Sequence, residues 1–98
     1  MINIGIAVYD SNQLEEITNL LIKYLHCNPS HKSRNYTEWI LPLITIEVVI
    51  AYNTLGYRFD ILYYDERIEQ QYIKDVLSPC CFYCKPRPIN HLLLLLNN

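Results

Sequence analysis

The residue in this chain best placed to do chemistry is a carboxylate at the end of an apolar run. Asp65 follows Phe59-Asp60-Ile61-Leu62-Tyr63-Tyr64. That run is rich in β-formers and predicts a strand buried on both faces. Open α/β sheets gather ligands at the carboxyl ends of their central strands, so Asp65 is a candidate ligand-contacting residue. An acid here also serves simply to cap the next helix, since Ile68, Tyr72, Ile73, Val76 and Leu77 recur at helical spacing over 66–77. A second motif is Cys81-Phe82-Tyr83-Cys84. Two cysteines so spaced suit a redox pair or half a zinc site. On the strand expected over 80–84, however, positions 81 and 84 point to opposite faces. Core packing is therefore the preferred reading. His26, Cys27 and His31 lie close together but have no partner pair at a standard ligand spacing, and they read as helix-end and loop residues. The three histidines form no triad with a Ser or Cys, and the chain is expected not to be an enzyme.

The totals narrow the partners. Ninety-eight residues make one domain, 1–98, with enough chain for a real core but little surplus stability. Apolar residues are 51% and charged ones 18%, which is a globular rather than a disordered composition. A net charge of -2 argues against nucleic-acid binding through a broad basic surface. The two glycines are too few for a phosphate-cradling loop. Ile2–Val8 lacks the basic flank of a signal peptide, and Leu92–Leu96 is too short to span a bilayer. No membrane partner is expected, the location is expected to be cytoplasmic, and the four cysteines are expected to be reduced there.

The elements that must carry these residues read as follows. Ile2–Val8 is a nearly uncharged run, hence a central strand. Asp10, Ser11 or Asn12 caps a helix over 12–26, with Glu15 three residues after Asn12 and Leu14, Ile17, Leu21, Tyr24 and Leu25 on one face. A polar loop follows over 27–35. The segment 36–52 is ambiguous. Propensity makes Leu43–Tyr52 a strand, yet Pro42 and Gly56 could bracket a helix after a strand over 36–41. A strand at 43–52 most simply pairs antiparallel with 59–64, because the link 53–58 is too short for a parallel crossover. Pro79 ends the helix over 66–77, Lys85-Pro86-Arg87-Pro88 makes a rigid turn, and 89–96 is a short last helix.

Three segments, in order, resemble the response-regulator receiver family, especially receivers that precede LytTR DNA-binding domains. Met1–Leu25 is similar to the family's first strand, acidic cluster and first helix. Phe59–Glu66 resembles the third strand with its phosphoacceptor aspartate. Phe82–Leu96 resembles the last strand, the Lys-Pro turn and the last helix. Together they cover about half the chain. The resemblance implies a three-layer, flavodoxin-like α/β sheet and a two-component signalling role. It makes Asp65 the phosphoacceptor candidate, Lys85 the phosphate-contacting candidate, and Asp10 with Asp65 the candidate Mg²⁺ ligands. It also implies that Lys85 approaches Asp65.

The chain departs from that pattern. Tyr9 stands where another acid is expected. Only residues 66–84 separate Asp65 from Lys85, room for one helix and one strand, so a strand-helix unit is missing. Ser78 is the only Ser or Thr in the interval, and it precedes the strand, so the switch residue is absent. The expectation is a truncated, degenerate receiver that acts by protein contact, with weak or no phosphoacceptor activity. The alternative is an α+β ferredoxin-like βαββαβ interaction or ligand-binding domain with no phosphorelay role. In either case Leu92–Leu96 runs all the way round a helix, which one buried face cannot hide, and a homodimer or protein partner through the last helix is expected.

Overall fold

The computed structural model describes residues 1–53, 56–81 and 85–97. Among these residues six strands form one mixed sheet: β1 (Ile2–Val8), β2 (His31–Lys32), β3 (Tyr36–Ile40), β4 (Ile44–Ile50), β5 (Ile61–Tyr64) and β6 (Arg87–Pro88). Their spatial order is β2-β3-β4-β1-β5-β6. β4, β1, β5 and β6 run parallel, and β3 and β2 continue the sheet antiparallel beyond β4. β1 holds the centre. It pairs with β4 from Ile2↔Ile44 to Val8↔Ile50 and with β5 from Ile4↔Ile61 to Ala7↔Tyr64. Its residues from Gly5 to Val8 are buried, as an uncharged run predicts. Among the described residues three α-helices accompany the sheet: α1 (Ser11–Leu25), α2 (Gln70–Tyr72) and α3 (Asn90–Leu96). α2 continues as a π turn over Ile73–Leu77 and a 3₁₀ turn over Ser78–Cys80. Among the described residues no helix is long and apolar enough to cross a membrane.

The ambiguous segment is a strand, but not in the pairing that its short link to 59–64 suggests. β4 turns back on β3 through Leu41-Pro42-Leu43, where the Leu41 N–H donates to the Ile44 carbonyl at 2.9 Å. Its other edge lies parallel to β1, and β1 separates it from β5. The ferredoxin-like βαββαβ alternative, which needs 43–52 antiparallel to 59–64, is overturned. The length argument assumed that strands joined by a short link are neighbours. Here β4 ends at Ile50 and β5 begins at Ile61, so the link, 51–60, is longer than the 53–58 assumed, and β5 runs parallel to β4 on the far side of β1.

The pleat sorts the core onto two faces. Ile6 and Val8 of β1, Trp39 of β3, and Ile46 and Val48 of β4 pack against Leu14, Ile17 and Leu21 of α1 and against Leu92, Leu93 and Leu96 of α3. Ala7, Val49 and Leu62 pack on the other face against Phe59, Ile68, Ile73 and Leu77. The result is a three-layer α/β arrangement with α1 and α3 on one side and α2 on the other. Two element boundaries differ from expectation. α2 starts at Gln70 rather than 66, because Glu66–Ile68 form a turn in which the Ile68 N–H donates to the Asp65 carbonyl at 3.1 Å. Cys80 belongs to the 3₁₀ turn rather than to a strand, and Cys81 makes one isolated parallel bridge to Phe59. The remainder of the expected strand, 82–84, lies outside the described residues.

Gly5 marks the tightest point of this packing. The Phe59 ring lies flat over it, so that a Cβ added at Gly5 would sit 2.5–2.7 Å from three ring carbons. Phe59 is buried and stacked on Tyr57, with ring centroids 5.8 Å apart, so the ring has nowhere to retreat. Gly5→Ala is expected to destabilise the fold by about 1–3 kcal/mol through overpacking, read as a lower urea midpoint at unchanged slope. A midpoint equal to that of the parent chain would show that the ring is free to move.

Candidate functional site

β1 and β5 are neighbours whose chains leave in opposite directions. After β1 the chain passes into α1 and on toward β4. After β5 it passes into α2 and on toward β6. Between such carboxyl ends an open α/β sheet leaves a crevice, the usual place for a ligand. Tyr9, Asp10 and Gln13 border it from the β1 side, and Asp65 and Arg67 from the β5 side.

Asp65 is its centre, and only 7% of the residue is exposed. Its backbone N–H donates to the Ala7 carbonyl at 3.1 Å, which extends the β1–β5 ladder by one bond. Its Oδ1 accepts from the Arg67 backbone N–H at 2.8 Å and from Arg67 Nε at 2.9 Å. Its Oδ2 accepts a short hydrogen bond from the Gln13 amide and a longer one, 3.4 Å, from Arg67 Nη2. Gln13 is itself fixed. Its Oε1 accepts from the Tyr9 N–H at 2.6 Å, and its backbone N–H donates to Asp10 Oδ1 at 2.9 Å. The Arg67 guanidinium lies over the Tyr9 ring, 4.6 Å from the centroid, a cation–π contact that holds it across the carboxylate. Burial alone would push the Asp65 carboxyl up. The hydrogen bonds from the Arg67 side chain, the Arg67 backbone and Gln13 outweigh it and hold the group below its ordinary value.

The crevice therefore brings Asp65 and Asp10 to one end of the sheet, but it does not bring Lys85 there. Parallel pairing sets Tyr63 level with Arg87 and Tyr64 level with Pro88, which puts Ile89 level with Asp65. Lys85 is four positions earlier, two residues before β6 begins, on the side of the sheet from which β5 enters rather than the end where Asp65 stands. It is exposed, and it makes no hydrogen bond or ion pair among the described residues. The cation expected from the last strand is supplied instead by Arg67, two residues after the acid. Asp10 is the N-cap of α1, which settles the choice among Asp10, Ser11 and Asn12. The capping spacing is Asp10 to Gln13, not Asn12 to Glu15. That spacing was the available signal for Gln13. Arg67 carried none beyond proximity to Asp65.

A Mg²⁺ ion fits these residues poorly. The ion demands an octahedral set of oxygens, and here two carboxylates are already engaged by N–H donors, one of them beneath a guanidinium. Among the described residues no three His, Cys, Asp or Glu side chains are grouped to hold a metal. His26 is the left-handed C-cap of α1, with φ 57°, and the Cys27 carbonyl accepts from Trp39 Nε1 at 3.3 Å. Cys80 is buried, and burial pushes its thiol up, away from thiolate chemistry. Cys84 lies outside the described residues.

A carboxylate held below its unfolded value contributes stability above that value, about 3.9 for aspartate, and loses it as pH falls through the folded value. Arg67→Ala removes two of the donors and should move the acid-unfolding midpoint to higher pH. An unchanged midpoint would show that the pair is fully screened. Gln13→Ala should cost about 1.5–3 kcal/mol, the range for a hydrogen bond to a charged group, in urea unfolding at neutral pH. At a pH low enough to protonate Asp65, the same substitution should cost less.

No protein-family model matches this chain, and no curated protein or solved structure matches it.

Proposed function

We propose that the chain is a receiver-derived regulatory module that works by protein contact, its former phosphoacceptor carboxylate converted into a structural tie. The observation that carries this reading is Asp65 itself: an acid at the end of the strand beside β1, in the switch-point crevice, with both oxygens taken by Gln13 and Arg67. A nucleophilic carboxylate needs a free oxygen facing its phosphoryl donor, and this one faces a guanidinium and an amide. The parallel order β4-β1-β5-β6 supports the reading. In a flavodoxin-like sheet of order 2-1-3-4-5, the second, first and third strands lie in that arrangement, and here a terminal strand follows at once. One strand-helix unit is then missing between β5 and β6. A further departure is the path from β4 to β5, which has only a 3₁₀ turn, Ala51–Asn53, among its described residues where the family has a helix. Ser78, in the last turn of the α2 segment, is no substitute for a switch residue at a strand end.

Contact through α3 follows from its exposure. None of its five leucines is fully buried, and Leu94 and Leu95 are 71% and 57% exposed. Leu95 borders an apolar groove of about 290 Å³ between α3, α1 and the sheet, whose lining includes Leu21, Tyr24, Leu25, Leu92 and Leu96. A second copy supplies the same leucines, so a two-fold contact buries each outward side chain twice.

Beryllofluoride with millimolar Mg²⁺, followed by amide NMR, tests the first part. No saturable shifts are expected at Gln13, Asp65 or Arg67, whereas saturable shifts there would restore phosphotransfer. Sedimentation tests the second. A dimer is expected at about tens of micromolar, converting to monomer in Leu94→Lys/Leu95→Lys. A monomeric parent chain would remove the α3 contact from the proposal and leave the reading of Asp65 untouched.

A further inference from the structure

On the face of the sheet that carries α2, three polar side chains of β3 and β4 meet. Glu38 and Glu47 are directly opposite in the antiparallel β3–β4 register, and both are half-buried. The Tyr36 hydroxyl lies 2.9 Å from Glu38 Oε2 and 3.1 Å from Glu47 Oε1. Two like charges directly opposite on adjacent strands repel. Hydrogen-bond accounting makes the conflict sharper. A phenol has one proton to donate and accepts through its lone pairs. With both carboxyls ionised, only one can receive that proton, and the other oxygen faces Tyr36 lone pair to lone pair. The arrangement is satisfied when the second carboxyl carries a proton and donates it to the phenol oxygen.

We propose that Glu38 and Glu47 hold a single proton between them through the Tyr36 hydroxyl, making the β3–β4 hairpin an element that tightens when it takes up that proton from solvent. The resulting chain runs from carboxylic acid to phenol to carboxylate, and it leaves one negative charge where the sequence has two.

The surroundings agree. Burial pushes the Glu47 carboxyl up, the Tyr36 hydroxyl bond opposes it, and the neighbouring Glu38 reinforces the rise. Burial, joined by the two glutamates, drives the Tyr36 phenol far above its ordinary value, so the phenol does not give up its own proton. Tyr57, from the 51–60 connection, faces the pair with its ring centroid 6.4 Å from that of Tyr36, and burial and the charges of Glu47 and Glu38 raise it as well. His31 of β2 is in register with Glu38. β1 presents Gly5 opposite Glu47, which brings no charge. A group raised in the folded state contributes stability that is complete below its unfolded value, about 4.3 for glutamate, and lost as pH rises through the folded value. This dependence has the opposite sign to that of Asp65.

The test is a carbon-detected NMR titration of the glutamate carboxyls in the full chain. The Glu47 carboxyl should keep its proton to a pH well above about 4.3, the ordinary value. A Glu47 carboxyl that titrates at the ordinary value would overturn the proposal, and this measurement needs no variant. The second arm is Glu47→Gln, whose amide donates to the phenol oxygen at every pH. Its urea midpoint should no longer fall as pH rises above about 4.3, while the acid-side loss from Asp65 remains. A variant that keeps the alkaline-side fall would also overturn the proposal.

Discussion

A buried negative charge must be answered by donors, and in this fold the answer comes from two corners at once. Asp65 is reached from α1 by Gln13 and from its own turn by Arg67, while its backbone stays in the ladder with β1. Removing one partner from such a group leaves an uncompensated charge, which is far more costly than the pair is stabilising. The carboxylate therefore fixes the exit of β1, the start of α1 and the delayed start of α2 relative to one another. Tyr9 takes part twice, donating its N–H to Gln13 and its ring face to Arg67. Tyr9 is thus the platform on which the Arg67 guanidinium rests across Asp65.

How much of this was legible in the sequence depended on range. α1 was readable to within a residue, because its cap and its apolar stripe are both local. β1 and β5 were readable because an apolar run at the centre of a sheet has to be uncharged. Asp65 was singled out from its position alone. The strand at β4 was readable from its β-branched residues, but its partner was not. Pairing is a contact between segments far apart in the chain, and nothing in Ile44–Ile50 says that β1 will slide in beside it. The same limit misplaced Lys85. The resemblance put it within reach of Asp65, but the strand register, set by Tyr63↔Arg87, places it toward the other end of the strand. Arg67 was close to Asp65 all along, but proximity in sequence carries no sign of who will face whom until the turn 65–68 is seen.

The two faces of the sheet are not equivalent. One is covered by α1 and α3 and holds Trp39, buried completely, at its centre. The other is covered mainly by α2 and by the Tyr57–Phe59 stack, which presses on Gly5. On that same face β3 and β4 carry Tyr36, Glu38 and Glu47, half-buried polar groups that crowd one another.

The outermost strands are two residues each, His31–Lys32 on one side and Arg87–Pro88 on the other. A lysine and a proline stand on these margins, and proline has no N–H to offer a newcomer. A sheet that ended on β3 or β5 would present a long row of unpaired backbone groups, an open template for copying strand upon strand. The two short strands close that template at small expense in chain. In a chain with half its residues apolar, such margins oppose the edge-to-edge pairing of one sheet with another.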